Sequence, residues 1–230
     1  MHVSAIIVAA GSGTRLGSAL PKAFVSLNGH TILSYSLRTL ASLTSIAELI
    51  LAVPAGREPE ARMEVAAAGL QLPVKITAGG TQRQESVRIA LALTSAESEL
   101  IVVHDAARPF ASRELFLRCL ERAGQAGATI AAVPVADTLK RVDQNRLITA
   151  TLQRAGLWQA QTPQAFVREL LIKAHDHALQ NQITATDDAD LAERIGHSVE
   201  VVEGSPMNLK ITTADDLTLA ETLAARLHPR

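Results

Sequence analysis

The sequence predicts an α/β fold, an open and mostly parallel sheet covered by helices on both faces. Three observations lead there. Apolar runs of strand length alternate with segments whose apolar residues recur at helical spacing, over most of the 230 residues. The strand-like runs are continuously apolar and β-branched instead of alternating, as strands buried on both faces must be. The breaks between them are rich in glycine, proline and aspartate, the residues that end regular structure.

The elements follow in order. "VSAIIVAA" predicts a first strand and "TILSYSLRTLASL" a helix, with Ile32, Leu33, Leu37, Leu40 and Leu43 on one face. "AELILAVP", "REPEARMEVAAAG" and "LPVKITAG" read as strand, helix and strand, and "RQESVRIALALTS" as a third helix. "ELIVVHDAARP" is a buried strand that breaks into a loop at Asp105. "SRELFLRCLERAGQAG" is a helix with Ser112 as its N-cap and a closing glycine, and "ATIAAVPV" is another strand. Residues 136–164 lose helical periodicity. There "TLKRV" and "LITATLQR" flank the turn residues "DQN" and predict a β-hairpin arm. Two strands are marginal alone in water, so the arm is expected to pack on something, with a second subunit as the candidate. "VRELLIKAHDHALQ" and "TDDADLAERIG" resume the helices, "SVEVVEG" adds a strand, and Thr213 caps the final helix. The whole, 1–230, reads as one Rossmann-like domain.

Composition narrows the function. With 47% apolar and 20% charged residues the chain has an ordinary globular balance. At 3% aromatics the core must rest on Ala, Val, Ile and Leu, and base-stacking platforms for nucleic acid are lacking. Twenty-two basic against 23 acidic residues give a net charge of -1, so no general basic field invites a nucleic acid. A polyanionic ligand must meet a local cluster of cations. The single cysteine, Cys119, excludes an internal disulfide and reads as a small core residue in a reducing compartment. "MHVSAIIVAA" lacks a basic leader, and no apolar run approaches the roughly 20 residues of a membrane span. A cytoplasmic protein without a membrane partner is expected.

The loop after the first strand, "AAGSGTRLGSALPKAF", carries the chemistry. A dinucleotide fingerprint wants its third glycine one residue earlier than Gly17 and an acidic end to the second strand, and a phosphate-binding P-loop wants Gly-Lys-Ser/Thr. Neither is present. What remains is Gly11 and Gly13, whose amides can approach an anion, with Arg15 as a planar charged fork and Lys22 as a point charge. Amides and cations around one phosphate chain suit a transition state that gains charge on its non-bridging oxygens. Asp105, at the carboxyl end of its strand, is positioned to hold Mg²⁺ or another divalent cation on a triphosphate. His104 beside it is read as structural, because hard Mg²⁺ prefers oxygen. Arg154, just before Gly156, could clamp a phosphate with both arms of its guanidinium. Arg108 stays open between a substrate role and a structural ion pair.

The glycine loop resembles the signature of nucleotidyltransferases that join a nucleoside triphosphate to a phosphate or sugar phosphate. Taken with "GGTQRQESV", "VVHDAARPF", "DTLKR", "GLWQAQTPQAF", "TDDA" and "NLKITT", in that order, it is similar to the 2-C-methyl-D-erythritol 4-phosphate cytidylyltransferases of the non-mevalonate isoprenoid pathway. The resemblance runs from Ile6 to the last helix. It implies attack of the methylerythritol 4-phosphate on the α-phosphorus of CTP, with release of pyrophosphate. It also implies that Arg15 and Lys22 stabilise the transition state and that Lys210 and Arg154 position the attacking phosphate. Cytosine would be met by Gly80, Ser86 and the backbone of Ala9, Ala10 and Gly11, with Thr81 and Ala106 near the ribose. Thr138 would grip the acceptor, Arg108 stands among the substrate-binding candidates, and the arm would come from the neighbouring subunit of a homodimer. Some relatives have an acidic residue where Met207 stands, so a second protein carboxylate for the metal is not evident. D-ribitol 5-phosphate is the alternative acceptor.

Overall fold

The structure, a computed structural model, describes residues 2–227 apart from Ser12 and Ala19. Eleven strands and seven helices follow in chain order among the described residues. Strand β1 (Val3–Val8) leads through the glycine loop to the short β2 (Ser26–Leu27) and β3 (His30–Thr31), then to α1 (Ile32–Ala41). Next come β4 (Ile46–Val53), α2 (Glu58–Ala67), β5 (Val74–Ala78), α3 (Arg83–Leu91) and β6 (Leu100–Asp105). The second half holds α4 (Arg113–Ala126), β7 (Ala128–Pro134), β8 (Leu139–Val142), β9 (Ile148–Leu152) and β10 (Trp158–Val167). It ends with α5 (Arg168–Gln180), α6 (Asp188–Arg194), β11 (Glu200–Glu203) and α7 (Ala214–Leu227).

Seven strands form one sheet in the order β11-β7-β10-β6-β1-β4-β5, and β10 alone runs antiparallel to its neighbours. Alternation along β1 explains the layers. Val3, Ala5 and Ile7 face one side, where Leu33, Leu37 and Leu40 of α1 and Leu115, Phe116 and Cys119 of α4 cover them. Ile6 faces the other side with Ile50 and Ile101, under Val87 and Ala90 of α3 and Leu171 of α5. A small third cluster packs α7 through Ala220 and Ala224 onto Leu27, Ile32 and Tyr35. The helix caps read from sequence hold: Ser112 Oγ accepts from Leu115 N at 3.2 Å, and Thr213 Oγ1 from Asp216 N at 3.2 Å.

One expectation is corrected. Residues 136–164 were read as one arm, but β10 starts at Trp158 and its later part is buried between β6 and β7. The arm proper is the separate two-stranded sheet of β8 and β9, turned by Asp143, whose Oδ1 accepts from Asn145 N and Leu147 N. "NLKITT" forms no strand. It is a loop tied down by Ile211 N donating to Ala107 O at 2.9 Å. Cys119 is buried, and burial pushes its thiol up to about 12, against the sense of a reactive nucleophile. No helix among the described residues is long and apolar enough to cross a membrane.

Phe116 is fully buried and its ring lies 5.0 Å from that of His104, behind the strand end that carries Asp105. Phe116→Ala is expected to cost about 3–5 kcal/mol in urea unfolding, the usual cost of emptying a core aromatic site. A cost within about 0.5 kcal/mol, as at a surface position, would contradict this packing.

Candidate active site

The sheet order sets the location. From β1 the chain steps outward to β4 and β5 on one side, then returns to β6 on the other. Open α/β sheets bind ligands at such a reversal, beyond the carboxyl ends of the strands. Here Val8 of β1 pairs with Asp105 of β6, and Ala106 N donates to Val8 O, so the glycine loop and the aspartate loop leave the sheet side by side.

The glycine loop folds back on itself to present its cations. Gly13 sits at φ +71°, and a Cβ there would lie 2.8 Å from Lys22 Cβ, so only glycine lets the loop close on Lys22. Arg15 and Lys22 each ride on a short 3-10 turn, Thr14–Leu16 and Lys22–Phe24, with Leu16 and Ala23 buried beneath them. Opposite stands the loop after β5. A Cβ on Gly79 would lie 2.3 Å from Ala10 Cβ, so the two loops approach closely only through this glycine. Ser86 Oγ, from the first turn of α3, accepts from Gly80 N at 3.1 Å and donates to Gln82 O, while Glu85 accepts from Thr81 N and Oγ1. This loop is held by its own bonds before any ligand arrives.

Between the loops lies a cleft of about 510 Å³. Of the residues picked from sequence, Ala9, Ala10, Gly11, Arg15 and Lys22 line one side. Gly80, Thr81 and Ser86 line another, and Asp105, Ala106 and Lys210 close the end. Gly13 shapes the loop but does not line the cleft. A second cavity of about 210 Å³ adjoins the first, and Arg83, Asp105 and Lys210 border both. Arg108, Thr162 and Thr186 line it further out. Thr138 and Arg154 border neither cavity. Arg154 is exposed on the arm side and donates to the Ala136 carbonyl.

Asp105 is the electrostatic centre. Arg83 Nε donates to its Oδ1 at 2.8 Å and Lys210 Nζ to its Oδ2 at 2.6 Å. Burial works to raise its pKa, but the Arg83 and Lys210 charges outweigh burial and hold the carboxyl well below the usual carboxylate range. Lys22 is shifted the other way. Burial lowers its pKa, and the nearby Lys210 charge lowers it further, against the pull of Asp105. Such a crowd of cations favours a polyanion. Asp105 also fits a shared divalent cation: its carboxylate is a hard oxygen donor, it already attracts two cations, and phosphate oxygens and water can complete the shell. No group of three or more His, Cys, Asp or Glu among the described residues could hold a metal, so the nucleotide would have to supply ligands.

His104 is structural, as its chemistry suggested. Arg108 O can only accept, so His104 Nε2 carries the proton and donates to it at 3.1 Å. In the neutral ring Nδ1 then accepts from the Thr162 hydroxyl at 2.9 Å, and Thr162 Oγ1 accepts in turn from Asp105 N at 3.1 Å. Burial pushes this imidazole down to about 4, so it stays neutral and fixes the loop after Asp105. Arg108, left open between two roles, donates to Asn208 O at 2.7 Å and Ala160 O at 3.1 Å, while its Nε is buried without a partner.

Sequence reading missed Arg83, Asp188 and His175. Arg83 Nη1 donates to Asp188 Oδ2 at 2.7 Å, and His175 Nε2 meets Asp188 Oδ1 at 3.0 Å. Arg83 lies within the "GGTQRQESV" stretch, of which only Gly80, Thr81 and Ser86 were singled out. Its partners stand 22 and 105 residues away, and no local pattern announces such pairs.

The chain matches the family model for 2-C-methyl-D-erythritol 4-phosphate cytidylyltransferase (IspD) over residues 3–226. It is 42% identical to the enzyme of that name from Syntrophus aciditrophicus, over 95% of this chain and 94% of that one. It is also 42% identical to the one from Prochlorococcus marinus, over 98% of each. The crystal structure of the Thermus thermophilus cytidylyltransferase superposes with a TM-score of 0.81 at 38% identity, covering 97% of this chain and 99% of that one.

The buried Asp188 gives a pH-dependent prediction. Burial opposes its ionisation, but Arg83 and His175 prevail and lower its pKa below the ordinary 3.8. A lowered folded-state pKa adds stability that is present above 3.8 and is lost as pH falls through the folded value. Asp188→Asn is therefore expected to lose about 3–5 kcal/mol at pH 7 in urea unfolding, because it removes one of the two carboxylates that compensate the buried Arg83. The difference from wild type should narrow as the pH falls below 3.8, and a gap independent of pH would refute the pairing.

Proposed function

This chain belongs to the 2-C-methyl-D-erythritol 4-phosphate cytidylyltransferase family, and from that premise we propose how its cleft joins CTP to 2-C-methyl-D-erythritol 4-phosphate. It is a nucleotidyltransferase of isoprenoid biosynthesis, and its products are 4-diphosphocytidyl-2-C-methyl-D-erythritol and pyrophosphate. The observation that carries the residue assignments is the convergence of Arg15, Lys22, Lys210 and Asp105 on one cleft at the sheet's switch point.

CTP lies along the cleft, its base against Gly80, Ser86 and the backbone of Ala9 to Gly11, its ribose near Thr81 and Ala106. The α-phosphate faces Arg15 and Lys22. A 4-phosphate oxygen of the acceptor attacks the α-phosphorus in line, and the bond to pyrophosphate breaks with its electron pair on the leaving group. The attacking phosphate monoester is already an anion, so no general base is required. Arg15 and Lys22 offset charge on the non-bridging oxygens, while Lys210 fixes the attacking phosphate at near-attack distance. Asp105 would hold Mg²⁺ or another divalent cation, which supplies neutralisation of triphosphate charge when bound.

The acceptor occupies the smaller cavity, which Arg108 and Thr186 line and where Lys210 faces both ligands. We further propose a homodimer through the arm. Leu147 and Ile148 are each 64% exposed there, an apolar surface that suits a partner chain. The partner subunit's Arg154 and Thr138 would then reach the acceptor, which accounts for their distance from the cavities of their own chain. A buried Cys119 suits a reducing compartment, and we place the reaction in the cytoplasm. The ribitol 5-phosphate alternative is not favoured, since the family model and the relatives carry the methylerythritol name.

The direct test is pyrophosphate release from CTP and Mg²⁺ with either acceptor in parallel. Release is expected with methylerythritol 4-phosphate, and release with ribitol 5-phosphate alone would overturn the acceptor assignment. Lys22→Ala should lower kcat about 100-fold or more with the fold intact by circular dichroism. The lowered Lys22 pKa adds that kcat/KM for CTP declines at a pH below 10.5, and that Lys22→Arg moves the decline upward. An unchanged profile in Lys22→Arg would remove Lys22 from triphosphate binding.

A further inference from the structure

Asp105 carries two cations on different oxygens, and they are anchored very differently. Arg83, on Oδ1, has a side chain only 22% exposed and is clamped from behind by Asp188, which His175 holds in turn. Moving Arg83 would leave the buried Asp188 carboxylate without its main counter-charge. Lys210, on Oδ2, has a side chain 41% exposed, and Asp105 is the one acceptor within hydrogen-bond distance of its Nζ among the described residues. Its backbone is nonetheless fixed, since Ile211 N is bonded to Ala107 O and Asn208 Nδ2 to Thr162 O at 2.8 Å. Only the flexible stem of Lys210 is free to swing, and the wall it stands in borders both cavities.

We propose that the two oxygens of Asp105 have separate duties: Oδ1 is fixed by Arg83, while Oδ2 is exchanged between Lys210 and the divalent cation that accompanies the triphosphate. This rests on the reading that Asp105 takes the metal. Without nucleotide, Lys210 is stored on Asp105 and occupies the place of the incoming cation. A divalent cation seated on Oδ2 repels the ammonium beside it, and this like-charge repulsion drives Lys210 off. The phosphate oxygens of the two substrates are then its nearest alternative acceptors, and Lys210 becomes available to the acceptor phosphate only after the nucleotide and its metal are seated. One carboxylate thereby couples occupation of the larger cavity to the readiness of the smaller one.

The test reads binding, not turnover. CTP affinity is measured by calorimetry in EDTA and in saturating Mg²⁺, and the ratio of the two constants is the coupling between metal and nucleotide. Lys210→Ala is expected to raise this ratio about threefold to fivefold, the strength of a half-exposed ion pair, because no lysine has to be displaced. Asp105→Asn should lower the ratio, and adding Lys210→Ala to it should change nothing further. A ratio in Lys210→Ala equal to or below wild type would overturn the exchange, as would a rise that persists without Asp105. An unchanged ratio in Asp105→Asn alone would instead overturn the metal reading on which the exchange rests.

Discussion

A carboxylate at the end of a buried strand, gripped by two cations, is the constraint from which the rest of this site follows. Asp105 is 6% exposed and would be costly there without charge partners. Arg83 and Lys210 compensate it, and each brings its own element along: α3 from one side, the loop of 208–213 from the other. Arg83 in turn requires Asp188 at the head of α6, and Asp188 requires His175 on α5. One buried charge thus ties together elements that are far apart in the chain. The polar wall of β10 completes the frame, with Thr162 bonded to both His104 and the Asp105 backbone and Gln161 bonded to Asn208.

Much of this could be read from the sequence. Strands β1, β4, β6 and β7 are apolar on both faces, and their continuous runs of Val, Ile, Leu and Ala declare them. The glycine loop was legible because its physical demands are local: a positive φ at Gly13, and two cations within a few residues. Asp105 was legible from its position where a buried strand breaks. Strand β10 was not. Its "WQAQTPQAFV" alternates poorly and contains three glutamines, yet Gln161 and Gln164 are buried, with Asn208 and Ser205 bonded to the first and Asp187 accepting from the amide of the second. A strand whose inward residues are polar for the sake of the site carries no hydrophobic period. The Arg83, Asp188 and His175 chain was hidden for a different reason, since ion pairs between distant segments leave no spacing to detect.

The division of the site into two cavities with a common wall bears on selectivity. The larger cavity is built mainly of backbone and small residues on loops that are hydrogen-bonded to themselves, a surface made before the nucleotide arrives. The smaller one is bordered by polar and charged side chains such as Arg108 and Thr186, and it borrows its remaining contacts from a neighbouring arm in the proposed dimer. Nucleotide recognition would then be a property of one chain, and acceptor recognition a property of two. Lys210, standing in the common wall, links the two events.

The most direct measurement is a crystal structure of the chain with CTP and Mg²⁺. The α-phosphate is expected between Arg15 and Lys22, facing the smaller cavity, with Arg83 still on Asp105 Oδ1. A triphosphate that runs the other way, with its α-phosphate turned from the smaller cavity, would contradict the in-line transfer and every role assigned around Asp105.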